Sequence, residues 1–240
     1  MNILKYEKIG NIRNIKIFKF IKILFNKEKR YLKGLKVKDI GRNNIFKCKC
    51  SKNVICKNSI IIVKGNNNSI EFGEDIKLIN AHIEIWGNNV VVNIGKNCSF
   101  NNFYGVFSGS DNPEDKITLS IGDNFFNVDD LQIFIGGGEN TSLEIGKDCL
   151  LSRRIAIYAH DGHKIYDKET GKLINIPKNS LKIGNHVWVG HGVNILKGSC
   201  IPNNTVVGSG SIVTGRFTDE NTSIAGNPAK VIKRNILWET

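Results

Sequence analysis

Six aliphatic residues fall at a strict six-residue step: Ile183, Val189, Ile195, Ile201, Val207 and Val213. Gly184, Gly190 and Gly208 follow three of them directly. A period of six is neither the 3.6 of a helix nor the 2 of a plain strand. It marks a hexapeptide repeat, in which each unit supplies one short strand and one corner of a parallel β-helix. Each aliphatic side chain then points into a narrow prism and stacks on its counterpart eighteen residues further on. A glycine beside it relieves crowding at the corner.

The step persists more loosely upstream. Phe72-Gly73 and Leu78 keep it, as do Ile94-Gly95, Phe100 and Val106, then Ile121-Gly122, Ile133, Ile145-Gly146, Leu151 and Ile157. A polar excursion at 107–116 breaks it; Asp111, Glu114 and Asp115 there are expected in solvent, with acceptor binding as the alternative. Glu139, inside a glycine-rich stretch, marks a distorted corner. The largest interruption is 158–182. A solenoid accepts insertions only at its corners, and long ones are commonly functional. The implied organisation is a basic amphipathic segment over 1–34, a β-helix over 35–223 carrying the insertion, and a closing tail over 224–240.

The formal charge of +12 is local: residues 1–50 hold 15 lysines and arginines against three acids, and the remaining 190 residues balance. A neutral repeat domain argues against nucleic-acid binding and leaves a membrane surface, an acidic glycan or an acidic partner for the N-terminus. Residues 12–33 place apolar side chains on one broad helical face between lysines. That face either packs on the β-helix end or a neighbouring subunit, or lies peripherally on an anionic inner membrane. No uninterrupted apolar stretch suggests a secretory signal or a membrane span. The six scattered cysteines then read as reduced thiols of a cytoplasmic protein. The spacing of Cys48, Cys50 and Cys56 matches no standard zinc pattern.

Phosphate-binding Gly-Lys loops, dinucleotide fingerprints and nucleophile elbows do not occur in the chain. The insertion does carry His160-Asp161-Gly162-His163, and His186, Trp188 and His191 follow it. A histidine near neutral pKa is the usual base for deprotonating a hydroxyl, so His163 is the candidate base. Asp161 either orients that imidazole or holds the loop.

Residues 145–240 resemble the left-handed β-helix, or hexapeptide-repeat, acyltransferases. The resemblance is carried by the strings Ile145-Gly146-Lys147-Asp148-Cys149, Asp161-Gly162-His163, Ile183 to Gly190, Ile195-Leu196-Lys197-Gly198 and Ala225-Gly226-Asn227-Pro228-Ala229-Lys230. The Asp-x-His loop before a His-Val-Trp coil looks most like bacterial capsule and lipo-oligosaccharide O-acetyltransferases, including those acting on sialic acids. His160 departs from the small polar residue expected before Asp161. The resemblance implies an all-β, left-handed solenoid working as a homotrimer, with acetyl-CoA between subunits, a saccharide acceptor and no metal. It implies that His163 deprotonates a sugar hydroxyl that attacks the thioester directly, and that the Trp188 main-chain N–H faces the oxyanion. Gly190, Gly208 and Ser209 would meet the pantetheine arm, and Lys230, Lys233 and Arg234 the phosphates. Two alternatives share the fold: a sugar N-acetyltransferase, and a γ-carbonic-anhydrase-like zinc lyase using His186, His191 and a loop histidine.

Overall fold

The computed structural model describes residues 33–49, 53–109, 112, 114–136, 140–175 and 180–239. The segment expected as a helix over 12–33 lies outside these apart from Lys33, as do Asp111 and residues 137–139. Described strands run from Leu35–Asp39 to Ala229–Arg234 and form two sheets of fifteen and seven strands. Neighbouring coils pair in parallel, as Leu35–Asp39 does with Ser59–Lys64 and Trp188–Val189 with Val206–Val207. No described helix is long and apolar enough to cross a membrane.

The strict repeat builds what its period requires. Ile183 lies on Ile201, Val189 on Val207 and Ile195 on Val213, each eighteen residues apart. All six side chains are fully buried. Burying each is worth about 1.5–3 kcal/mol relative to leaving it in water. Each coil has three faces, named here by one residue apiece. The Lys182 face contains Ser180–Ile183, the Trp188 face Trp188–Val189, and the Tyr158 face Asn194–Leu196. Leu150–Tyr158 bends at Arg154, where φ is +55°, and so covers both the Trp188 and Tyr158 faces.

Upstream the coils are longer. Ile61 lies on Ile83 and Ile83 on Gly105, 22 residues apart, and Phe103 lies on Leu131, 28 apart. The six-residue step therefore slips at Val106, which points outward while Phe107 is buried. Asn102, at φ +48°, turns the chain between Phe100 and Phe103, and the extra corner residue shifts the inward positions. Larger cross-sections need larger fillers. The largest fully buried side chains are Phe72, Phe100, Phe103, Phe107 and Phe125, all in this half.

Corners stack as well as strands. Asn97, Asn124, Asp148, His186, Asn204 and Asn221 all take left-handed φ between +53° and +59°. Short polar side chains tolerate this conformation because they bond locally. Asn97 Nδ2 donates to Asn124 Oδ1 at 2.9 Å, and Asn124 Nδ2 to Asp148 Oδ1 at 2.7 Å. The abundant asparagine is thus the fold's corner residue.

Two expectations need correction. Asp115 is buried rather than solvated, and it accepts a hydrogen bond from Asn112 Nδ2 at 3.3 Å. Burial there removes the carboxylate from bulk water, so Asn112 replaces part of its hydration. Cys56, Cys98, Cys149 and Cys200 are free thiols, but Cys48 is disulfide-bonded. Burial pushes the Cys56, Cys98 and Cys149 thiols up to about 11, so they are packing residues and not nucleophiles.

Candidate active site

The insertion leaves the prism after Tyr158 and returns at Ser180, at the corner between the Tyr158 and Lys182 faces. Its outer part is a short hairpin. Ile174 N donates to Ile165 O at 2.9 Å, Asp167 N to Lys172 O at 2.8 Å, and Tyr166 bridges Leu173 in antiparallel fashion. Asp167 closes the tip by accepting from Thr170 N and Thr170 Oγ1, both at 2.7 Å. Those two Thr170 bonds hold the Asp167 carboxyl below its ordinary range. The insertion is therefore a built finger.

His163 sits in a bend at the finger's base and is exposed. Its imidazole has no hydrogen-bond partner among the described residues. Its carbonyl accepts from Asn175 Nδ2 at 2.7 Å. Asp161 does not orient the imidazole: its Oδ2 accepts from Asn175 Nδ2 at 2.8 Å and meets Lys197 Nζ in an ion pair. Lys197 Nζ also donates to Asn175 O at 3.3 Å. Partial burial raises the Asp161 carboxyl, but the Lys197 and Asn175 bonds and the Lys197 and His160 charges outweigh it, leaving the group below its ordinary value. His160 is half-buried, and its Nδ1 accepts from Gly162 N at 3.0 Å, which requires that nitrogen to be unprotonated. Burial lowers its pKa, opposed by the Asp161 charge.

Trp188 stands elsewhere. Its indole is 39 % exposed on the Trp188 face, and its Nε1 donates to Ser152 Oγ at 3.3 Å. The closing tail returns to this place. Trp238 stacks on His186 at 4.1 Å between ring centroids, donates from Nε1 to His186 O at 3.0 Å, and lies 6.1 Å from Trp188. The finger springs from the corner opposite the Trp188 face, so one chain alone presents His163 and Trp188 on opposite sides of the prism. The expected oxyanion role of the Trp188 main chain also changes: its N–H donates to Thr205 O at 3.0 Å within the ladder.

The donor-contact residues are similarly dispersed. Gly190 N and Gly208 N donate to Val207 O and Ile224 O, both at 2.8 Å. A Cβ on Gly190 would lie 2.7 Å from Ser209 N, so coil stacking already requires a glycine there. Ser209 is exposed, with its Oγ accepting from His191 N at 3.1 Å. Lys230 and Lys233 are exposed on the terminal antiparallel strand, and Arg234 Nε pairs with Asp219 Oδ2 at 3.2 Å. The zinc arrangement loses its geometry. His186, His191 and the loop histidines occupy three different corners, and His186 Nδ1 lies 3.1 Å from Asn204 Oδ1.

Sequence reasoning passed over Asn175, Trp238 and Ser152 and gave Lys197 no role. Their contacts cross the fold; Lys197 stands 36 residues from Asp161 and Trp238 stands 52 from His186. Only the placement of Lys197 six residues after His191, in the corner that follows a repeat, hinted at where it would stand.

No protein-family model matches the chain. A polysialic acid O-acetyltransferase of Neisseria meningitidis is 39 % identical over 185 residues, covering 74 % of this chain and 78 % of that protein. The crystal structure of the polySia-specific acetyltransferase NeuO superposes with a TM-score of 0.71 at 29 % identity, over 87 % of this chain and 90 % of that one. The polysialic acid O-acetyltransferase OatWY gives 0.59 at 31 % identity, over 83 % and 90 %. Extended similarity of this kind, on a parallel solenoid with an inserted histidine finger, shows that the chain belongs to the left-handed β-helix, hexapeptide-repeat O-acetyltransferases.

Proposed function

We propose that the protein transfers an acetyl group from acetyl-CoA to a hydroxyl of a bacterial surface saccharide, with a sialic-acid polymer of capsule or lipo-oligosaccharide as the leading acceptor. The observation that carries this is the 39 % identity to a polysialic acid O-acetyltransferase across 74 % of the chain. His163 removes the proton from the acceptor hydroxyl as that oxygen bonds to the thioester carbonyl carbon. The tetrahedral adduct collapses with cleavage of the C–S bond, and the imidazolium returns its proton to the departing thiolate. Lys230 and Lys233 supply exposed cations for the donor's phosphates. Arg234 joins them by exchanging Asp219 for a phosphate. Ser209, exposed at its corner, offers a hydroxyl to the pantetheine arm. Trp188 provides an apolar wall.

A homotrimer completes the site. With His163 and Trp188 on opposite sides of one prism, a single pocket draws them from two subunits. The faces suit this. The Tyr158 face carries an outward ring column, His82, Tyr104, Phe134 and Tyr158, with centroid spacings of 5.4, 5.8 and 5.1 Å. The Trp188 face exposes Phe126 and Trp188. Packing the Tyr158 face of one copy on the Trp188 face of the next is a head-to-tail contact that closes into a ring. The enzyme then works in the cytoplasm, where acetyl-CoA is made, with the basic N-terminal segment drawing it to an anionic membrane or acceptor.

Thiol release from acetyl-CoA, measured with sialylated, neutral and amino-sugar acceptors, tests the reading. Release is expected with a sialylated hydroxyl acceptor and to fall by about 10²–10⁴-fold in His163→Ala. Release with amino sugars alone would replace it with N-transfer. Mixing inactive His163→Ala and Trp188→Ala subunits should restore about a quarter of the sites if the pocket is shared, and none if each chain carries a whole one.

A further inference from the structure

We infer that Asn175 and Lys197 are positioning residues that hold His163 in place, and that Asp161 links the two and does not serve as the partner of the imidazole. This rests on the reading of His163 as the base.

Asn175 grips the segment at two main-chain points. Its Nδ2 donates to His163 O and its Oδ1 accepts from Ile165 N, both at 2.7 Å. These groups flank residue 164, so the backbone bearing His163 is fixed on its C-terminal side. The amide has two N–H donors, and the second contact of Nδ2, Asp161 Oδ2 at 2.8 Å, holds the Asp161 side chain on the other side. A carboxylate at 175 would keep the acceptor and lose both donors.

Lys197 connects this clamp to the prism. Tyr158 pairs with Leu196 in parallel register, so Lys197 lies one coil beyond the point where the finger departs. Its ammonium meets Asp161 Oδ2 and donates to the Asn175 carbonyl, and so ties both arms of the finger to one side chain of the next coil. The lysine side chain is 18 % exposed and the aspartate 33 %, so the pair is screened less than a surface ion pair.

The arrangement differs from a histidine–carboxylate dyad, in which the acid fixes the tautomer and stabilises the imidazolium. Here the bonded Asp161 oxygen faces Lys197 and Asn175. The ammonium beside it pairs with the carboxylate's charge. The clamp thus acts on where His163 sits.

The test compares Asn175→Ala, Lys197→Met, Lys197→Arg, Asp161→Asn and His163→Ala in the full-length protein, using acetyl-CoA and the acceptor identified by the panel above. Asn175→Ala and Lys197→Met are expected to lower kcat by about 10–100-fold, as a misplacement near 1 Å does. The KM for acetyl-CoA should stay within about twofold. Lys197→Arg should recover most of the rate, and Asp161→Asn should lower kcat without moving the pH at which activity falls on the acid side. Full kcat in Asn175→Ala beside a dead His163→Ala would overturn the clamp while sparing the base. A displaced acid limb in Asp161→Asn would restore the dyad and overturn the clamp too. Activity surviving in His163→Ala would instead remove the base itself. Asn175 lies on the finger outside the core, so its variant folds and keeps the test decisive even if Lys197→Met does not.

Discussion

Ile61 stacks on Ile83 across 22 residues, whereas Ile195 stacks on Val213 across eighteen. The same solenoid therefore has a wide half and a narrow half. The wide coils are filled with phenylalanine: Phe100 lies 5.1 Å from Phe125 and 5.2 Å from Phe103 between ring centroids. The narrow coils are filled by Val187, Val189, Val193, Ile195, Ile201 and Val207, with buried hydroxyls turned to main-chain carbonyls, such as Ser199 Oγ to Val213 O at 2.9 Å. Every candidate site residue belongs to the narrow half or is inserted into it. Three short sides leave little freedom for a coil to distort, so a finger pinned to such a coil inherits its precision. The wide half extends the outward ring column and the length of the prism.

The comparison can be attacked from the side with the larger fillers first. Phe100→Ala in the wide half should cost about 3–5 kcal/mol by leaving a cavity between two other rings. The folded fraction should keep its turnover, because no site residue lies on that coil. Equilibrium urea unfolding combined with activity per folded molecule checks both parts; equal loss of turnover would show that the halves are coupled. Val207→Phe in the narrow half should cost about 1–3 kcal/mol through overpacking. It should also depress turnover, since Val207 lies directly on Val189 beside Trp188. Normal turnover there would show that the narrow prism yields more than its dimensions suggest.

The smallest effect is the dependence on acidity. The Asp161 carboxyl is held below its ordinary 3.8, so its contribution to stability is complete above that value and disappears as pH falls through the lower folded value. His160 is held below its ordinary 6.5, so the unfolded chain takes up its proton first and stability starts to fall below that pH. Both signs make the finger weaken on acidification. Urea midpoints between pH 8 and 4 should drift down, and less so in His160→Gln. An unchanged drift in that variant would assign it to other groups.

Legibility followed the same division. The six-residue step located Ile183 to Val213 without error, because an eighteen-residue coil repeats its corners at fixed places. It failed at Val106 because coil length varies upstream and each added corner residue reverses which side chain points inward. The finger was visible as a break in the period, and His163 as its most chemically apt residue. Asn175, Lys197 and Trp238 were not, because what gives them meaning is a contact made across coils. The Trp188 N–H was misjudged because a motif conveys which residue is present and not whether its main chain is already bonded within a ladder.

The finger has a consequence for how such proteins diversify. It folds upon its own Asp167-capped hairpin and, among the described residues, is tied to the prism by the Asp161–Lys197 ion pair and the bond from Lys197 to the Asn175 carbonyl. The coils before and after it stack in register whatever leaves the corner between them, as Ile157 on Ile195 does across 38 residues. Exchange of this segment between homologues would therefore move the histidine as a cassette, leaving the stacking of the coils that receive it unaltered.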